Sequence, residues 1–139
     1  MVQLMVGKKG KGKTKYLLDK VNNEVKDVAG NITYLDKSTK HMFELNNKVR
    51  LIDVSDYNIE DSKEFIGFIS GIISQDNDLQ KMYFDSFLKI AQIENEGMVA
   101  IVSRLEKISE KFDVDFILSV SLDECEMDEC LKKNIILSL

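Results

Sequence analysis

The sequence predicts an α/β protein, a three-layer sandwich around a mostly parallel sheet, and three observations carry that prediction. Short β-branched or apolar runs alternate with longer stretches of helical apolar spacing, which is the pattern of parallel strands joined by right-handed helical crossovers. The first run is apolar almost throughout and ends at a glycine, as a strand buried on both faces does. Third, 139 residues without proline and with only seven glycines fit one compact domain, residues 1–139, with no linker or low-complexity tract to divide it.

Each element has its own warrant. Residues 2–6 form the first strand. Residues 14–28 place Leu17, Leu18, Val21, Val25 and Val28 on one stripe of a helix, and Gly30 reads as its stop. Residues 31–36 (N-I-T-Y-L-D) and 49–54 (V-R-L-I-D-V) are β-branched or apolar enough for a second and third strand. A helix over residues 61–74 buries Phe65, Ile66, Ile69, Ile72 and Ile73, and Gly67 and Gly71 would let it approach a neighbour closely. Residues 76–78 are a polar break before a fourth strand at residues 79–85. Met98, Ile101, Val102, Leu105, Ile108 and Phe112 mark the strongest amphipathic helix. Strands follow at residues 114–120 and 134–139, with a short helix expected between them at residues 126–133.

Composition removes several function classes. A net charge of −5 opposes general binding to nucleic acid or anionic membrane. The initial apolar run is too short for a signal sequence, and the longest later one, residues 65–73, is too short to cross a bilayer, so the chain reads as cytoplasmic. Cys125 and Cys130, even with the single histidine His41, do not make a four-ligand zinc cage and read as reduced thiols.

The chemistry concentrates directly after the first strand. Residues 7–14 read G-K-K-G-K-G-K-T and satisfy the phosphate-loop pattern G-x-x-x-x-G-K-[ST] at every required position. Gly7 and Gly12 permit backbone angles that turn successive N–H groups inward around phosphate oxygens, and Gly10 frees the middle of the loop. The following helix adds its N-terminal donors and positive dipole. Lys13 is placed for β- and γ-phosphates, and Thr14 offers a hydroxyl to Mg²⁺. Lys8, Lys9, Lys11 and Lys15 are not required by the pattern but raise the positive potential that draws in a nucleotide.

A Mg²⁺ ion also wants an acid at the end of a nearby strand. Asp85, closing M-Y-F-D, is favoured, and Asp53 in V-R-L-I-D is the alternative. Ser86 stands where many phosphate-loop ATPases carry a water-polarising glutamate, and Glu94 and Glu96 lie nearby in sequence without occupying that position. Ser119 and Ser121 are candidates for contact with a γ-phosphate. Guanine recognition is absent: the nearest match to N-K-x-D is Asn47–Lys48–Val49–Arg50, and the D-x-x-G at Asp27 to Gly30 falls at the end of a helix. With Arg50 and Arg104 the only arginines, phosphoryl transfer between two nucleotides is disfavoured.

The runs V-Q-L-M-V-G-K-K-G-K-G-K-T-K, N-N-K-V-R-L-I-D-V-S-D-Y, Y-F-D-S-F-L-K-I and L-E-K-I-S-E-K-F-D-V-D-F-I together resemble a family of short clostridial-type phosphate-loop proteins labelled as twitching-motility ATPases. The resemblance runs nearly end to end and implies a RecA-like core that binds ATP or ADP with Mg²⁺. It implies Gly7, Gly12, Lys13 and Thr14 at phosphate and metal, and Asp85 as the metal-side acid. The arginine- and histidine-rich boxes of hexameric motors have no counterpart, so ATP binding carries over and the motor role does not. Two functions of different class follow: an ATPase, slow or activated by a partner, and a nucleotide-gated binding module that hydrolyses little or nothing. The partner expected in either case is a protein, a second copy of the chain being one candidate, with membrane excluded and nucleic acid disfavoured.

Overall fold

A computed structural model describes residues 1–139 and gives six strands, all paired in parallel, in the order β3-β2-β4-β5-β1-β6. The strands are β1 (Val2–Val6), β2 (Asn31–Asp36), β3 (Val49–Asp53), β4 (Leu79–Phe84), β5 (Asp115–Val120) and β6 (Ile135–Ser138). The helices are α1 (Lys13–Glu24), α2 (Ser62–Gln75), the single-turn α3 (Phe87–Ile90) and α4 (Met98–Phe112). After β1 the chain crosses to the far half of the sheet for β2 and β3. It returns through β4 and β5, then passes β1 to lay down β6 at the opposite edge. β1 is therefore interior, flanked by β5 and β6, as its apolar sequence requires.

Side-chain alternation divides the core into two layers. Met5, Ile32, Tyr34, Tyr83 and Ile117 face α1 and meet Leu17, Leu18, Val21 and Val25. The other strand faces, with Leu4, Val6, Phe84, Phe116 and Leu118, pack against Phe65, Ile66 and Ile69 of α2 and Met98, Ile101, Val102 and Leu105 of α4. Helices thus cover both faces of the sheet. None of them is long and apolar enough to cross a membrane.

The structure corrects four local readings. α1 ends at Glu24 rather than at residue 28. There Glu24 Oε2 accepts from Lys20 and from Lys81 of β4, each at 3.1 Å, which ties the last turn down onto the sheet. Gly30 is not that helix's stop; a Cβ on it would lie 2.0 Å from the Asp78 carbonyl oxygen, so it is the residue that lets β2 begin against the turn before β4. Gly67 and Gly71 are exposed, with nothing within 4 Å of a Cβ built on either, so they mediate no close helix contact. The expected helix at residues 126–133 is instead a pair of 3-10 turns, Glu124–Glu126 and Glu129–Asn134, and α3 went unforeseen. Asp61 caps α2 by accepting from Glu64 N at 2.9 Å, while Glu64 Oε1 accepts from Glu60 N at 2.7 Å.

Candidate functional site

β1 runs out at Val6 and α1 starts at Lys13, and the glycine-rich loop between them sits at the carboxyl ends of the strands. Gly7, Gly10 and Gly12 all take positive φ, at 149°, 89° and 92°. At Gly7 the constraint is double, because a Cβ there would also come within 3.1 Å of the Leu139 Cβ. At Gly12, the residue preceding α1, φ of 92° and ψ of 18° are left-handed values that L side chains resist. No side chain caps α1 and its first turn carries no acid, so the positive end of the helix dipole stays open. Within the loop Gly7 N donates to Leu122 O at 2.7 Å and Lys11 N to Lys8 O at 3.3 Å. The amides of Lys9, Gly10, Gly12, Lys13 and Thr14 have no backbone acceptor. A run of such free donors is a nest suited to an anion.

Lys13 folds back over this loop. It is 6% exposed, and its Nζ donates to Gly7 O at 2.5 Å and Lys8 O at 3.1 Å. Burial lowers its pKa, opposed by the attraction of Asp85. Thr14, one residue on, donates from Oγ1 to Asp85 Oδ1 at 3.3 Å. The other carboxylate oxygen of Asp85 accepts from the buried Tyr34 hydroxyl at 3.0 Å. Burial, and then the adjacent Asp85 charge, push the Tyr34 phenol far above its ordinary range and keep it a neutral donor.

Asp85 is 4% exposed and is held by what surrounds it. Phe84 before it stacks edge-on or tilted with Phe65, Phe87 and Phe116 at centroid distances of 5.7 to 5.9 Å. Ser86 after it sits at φ 53°, a left-handed value uncommon for serine and of the kind that collects at functional sites. β2 and β4 are neighbours and end together, with Asp85 N donating to Leu35 O at 2.9 Å. That register brings Asp36, the last residue of β2, beside Asp85. Asp36 is 2% exposed; its Oδ1 accepts from Lys37 N at 2.7 Å and its Oδ2 has no partner. Burial, and then the Asp85 charge, raise its pKa.

These groups line one cavity of about 460 Å³ with no hydrophobic residue in its wall. The loop and α1 contribute Lys9, Gly10, Gly12, Lys13 and Thr14. The strand ends contribute Asp36, Asp85, Ser86, Ser119 and Ser121, and the segment after β2 contributes Lys37, Ser38, Lys40 and His41. Ser119 lies on β5 and Ser121 directly after it, and β5 lies between β1 and β4 in the sheet. Gly7, Lys8, Lys11 and Lys15 lie outside the wall. Lys8 turns away to Asp123, 3.3 Å from Nζ to Oδ2, and that partner raises its pKa. Asp53 is also outside: on the edge strand β3, it accepts from Ser55 N and Oγ at 3.0 and 2.6 Å and caps its own turn. Neither Arg50 nor Arg104 reaches the cavity, nor do Glu94 and Glu96.

Sequence reasoning missed Asp36, Lys37, Ser38, Lys40 and His41. One signal was legible: Asp36 ends a strand as Asp85 does, so a sheet order placing β2 beside β4 makes them a pair. No known protein-family model matches the chain, and neither does any curated protein sequence.

Proposed function

We propose that the chain is an ATP-binding phosphate-loop protein, a slow or partner-activated ATPase that couples its nucleotide state to a partner. The observation that carries this reading is the loop of residues 7–14 itself, with three positive-φ glycines, unpaired amides at its turn and a buried Lys13 curled over it. Lys13 Nζ rests on two loop carbonyls, and a phosphate entering the nest offers it stronger, charged acceptors. The uncapped N-terminus of α1 favours the same anion.

Mg²⁺ suits the two oxygen donors beside the loop, Thr14 Oγ1 and Asp85. When bound it would neutralise charge on the β- and γ-phosphates. This chain's own residues do the rest. Tyr34 fixes one oxygen of Asp85, Lys13 supplies positive charge, and Ser119 and Ser121 offer hydroxyls in the cavity wall. ATP or ADP is preferred to GTP, because no N-K-x-D carboxylate is present to read guanine. The proposed location is cytoplasmic.

A second reading keeps the nucleotide and drops the turnover: ATP holds a conformation that a partner recognises, and hydrolysis is negligible. The wall composition favours it, since the cavity contains neither an arginine nor a glutamate. Titration calorimetry with Mg·ATP tests the common premise. Lys13→Ala removes a charge-assisted contact and should weaken binding by about 1.5–3 kcal/mol. Equal affinity in wild type and Lys13→Ala would remove the loop as the site.

A further inference from the structure

We infer that Asp36, His41 and Asp85 form a binding site for a divalent transition-metal ion, taken up without nucleotide and different in its donors from the Mg²⁺ that accompanies ATP. One ligand atom from each of the three lies within 4.8 Å of those of the others. Two independent features show that the cluster is unfinished. Asp36 lines a polar cavity and is 2% exposed, and its Oδ2 is buried with no hydrogen-bond partner, an arrangement that costs desolvation energy until a cation or donor arrives. His41 pairs through Nδ1 with Glu44 Oε1 at 3.3 Å, which leaves Nε2 free. A carboxylate on the outer nitrogen is how metal-bound histidines are oriented and made more basic.

The donor set selects the class of ion. Mg²⁺ prefers an all-oxygen octahedron, whereas imidazole suits later first-row ions, whose affinity for such sites rises along the row to copper and falls back at zinc. Two carboxylates and one imidazole, with further positions left for water or a phosphate oxygen, match Co²⁺- or Zn²⁺-type coordination. Donors sit about 2.0–2.2 Å from such an ion, so the three ligand atoms, now within 4.8 Å of one another, draw together around it on binding. His41 lies on the connection between β2 and β3, where only the 3-10 turn Met42–Glu44 is regular. An ion there ties the connection to the ends of β2 and β4 and so shapes the cavity's rim. Asp85 is shared with the proposed nucleotide site; Asp36 and His41 are not required by it.

Co²⁺ is the probe, because its visible bands report nitrogen ligation, and the host is the full chain carrying Cys125→Ser and Cys130→Ser, which removes the exposed thiols as competing ligands. About one equivalent of Co²⁺ should bind the nucleotide-free protein, Zn²⁺ should displace it, and Mg²⁺ in large excess should not. His41→Ala, on a surface segment whose loss leaves the core intact, should weaken uptake at least about tenfold, and Asp36→Asn should do the same. Lys13→Ala should retain Co²⁺ binding while losing ATP affinity, so failure of the nucleotide reading leaves this one standing, and the reverse. Absence of Co²⁺ uptake, or identical spectra and affinities in wild type and His41→Ala, would overturn the assignment.

Discussion

Asp85 carries more of the site than any other residue, because three side chains from two other elements converge on its carboxylate. Thr14 from α1 faces one oxygen, Tyr34 from β2 donates to the other, and Lys13 supplies the nearby charge. Tyr34→Phe removes one donor without changing shape and leaves Asp85 Oδ2 buried and short of a partner. The expected cost is about 1–3 kcal/mol, read as a lower urea midpoint at unchanged slope. An unchanged midpoint would mean that water replaces the hydroxyl and that Asp85 is less enclosed than its 4% exposure states. At this scale the sequence was partly legible. Lys13, Thr14 and Asp85 could be named because a local pattern or a strand end marks them. Asp36 could not be paired with Asp85, because nothing local announces which strands are neighbours. His41 makes no four-ligand cage with Cys125 and Cys130 and nothing local marks it as a neighbour of Asp36, while Tyr34 reads as an ordinary aromatic of a strand.

Among the elements, those with a strong period were legible to within a residue or two at most boundaries, and the misreadings involve contacts beyond the element itself. α1 stops where Glu24 is pinned by Lys81, which no helical period reveals. The glycines separate the two kinds of information well. Gly30→Ala drives a Cβ to 2.0 Å from the Asp78 carbonyl oxygen, a backbone atom that cannot step aside cheaply, and should cost on the order of 1–3 kcal/mol. Gly67→Ala, on the exposed side of α2 with open space around it, should instead stabilise the protein by about 0.5–1 kcal/mol through helix propensity. Thermal unfolding of the two variants should therefore move the melting temperature in opposite directions. A rise for Gly30→Ala would show that β2 does not start in contact with the turn before β4.

For the whole molecule, the question is whether the cavity can run phosphoryl transfer to water by itself. That reaction needs a metal-bound phosphate chain, a group that orients the water, and positive charge on the γ-phosphate as the transition state forms. On the proposed reading, Thr14 and Asp85 would serve the first and Lys13 part of the third. Ser86 stands beside Asp85 where a glutamate would polarise water, and the two arginines are held elsewhere: Arg50 on the edge strand β3 and Arg104 exposed on α4. Neither lines the cavity, so on the proposed reading an arginine at the γ-phosphate is expected from another molecule. Where one is supplied, it is worth about 10³–10⁵ in rate. The isolated monomer should therefore release phosphate far more slowly than the roughly 1–10³ s⁻¹ of dedicated enzymes. If a second copy is the donor, specific activity should rise with protein concentration, and Arg50→Ala or Arg104→Ala should flatten that rise. A steady-state phosphate-release assay across a range of dilutions separates these cases. Fast turnover independent of concentration would sink the partner requirement and direct attention to Asp36, the cavity carboxylate with an oxygen still free, as the group that orients the attacking water; Asp36→Asn should then abolish turnover while Mg·ATP still binds.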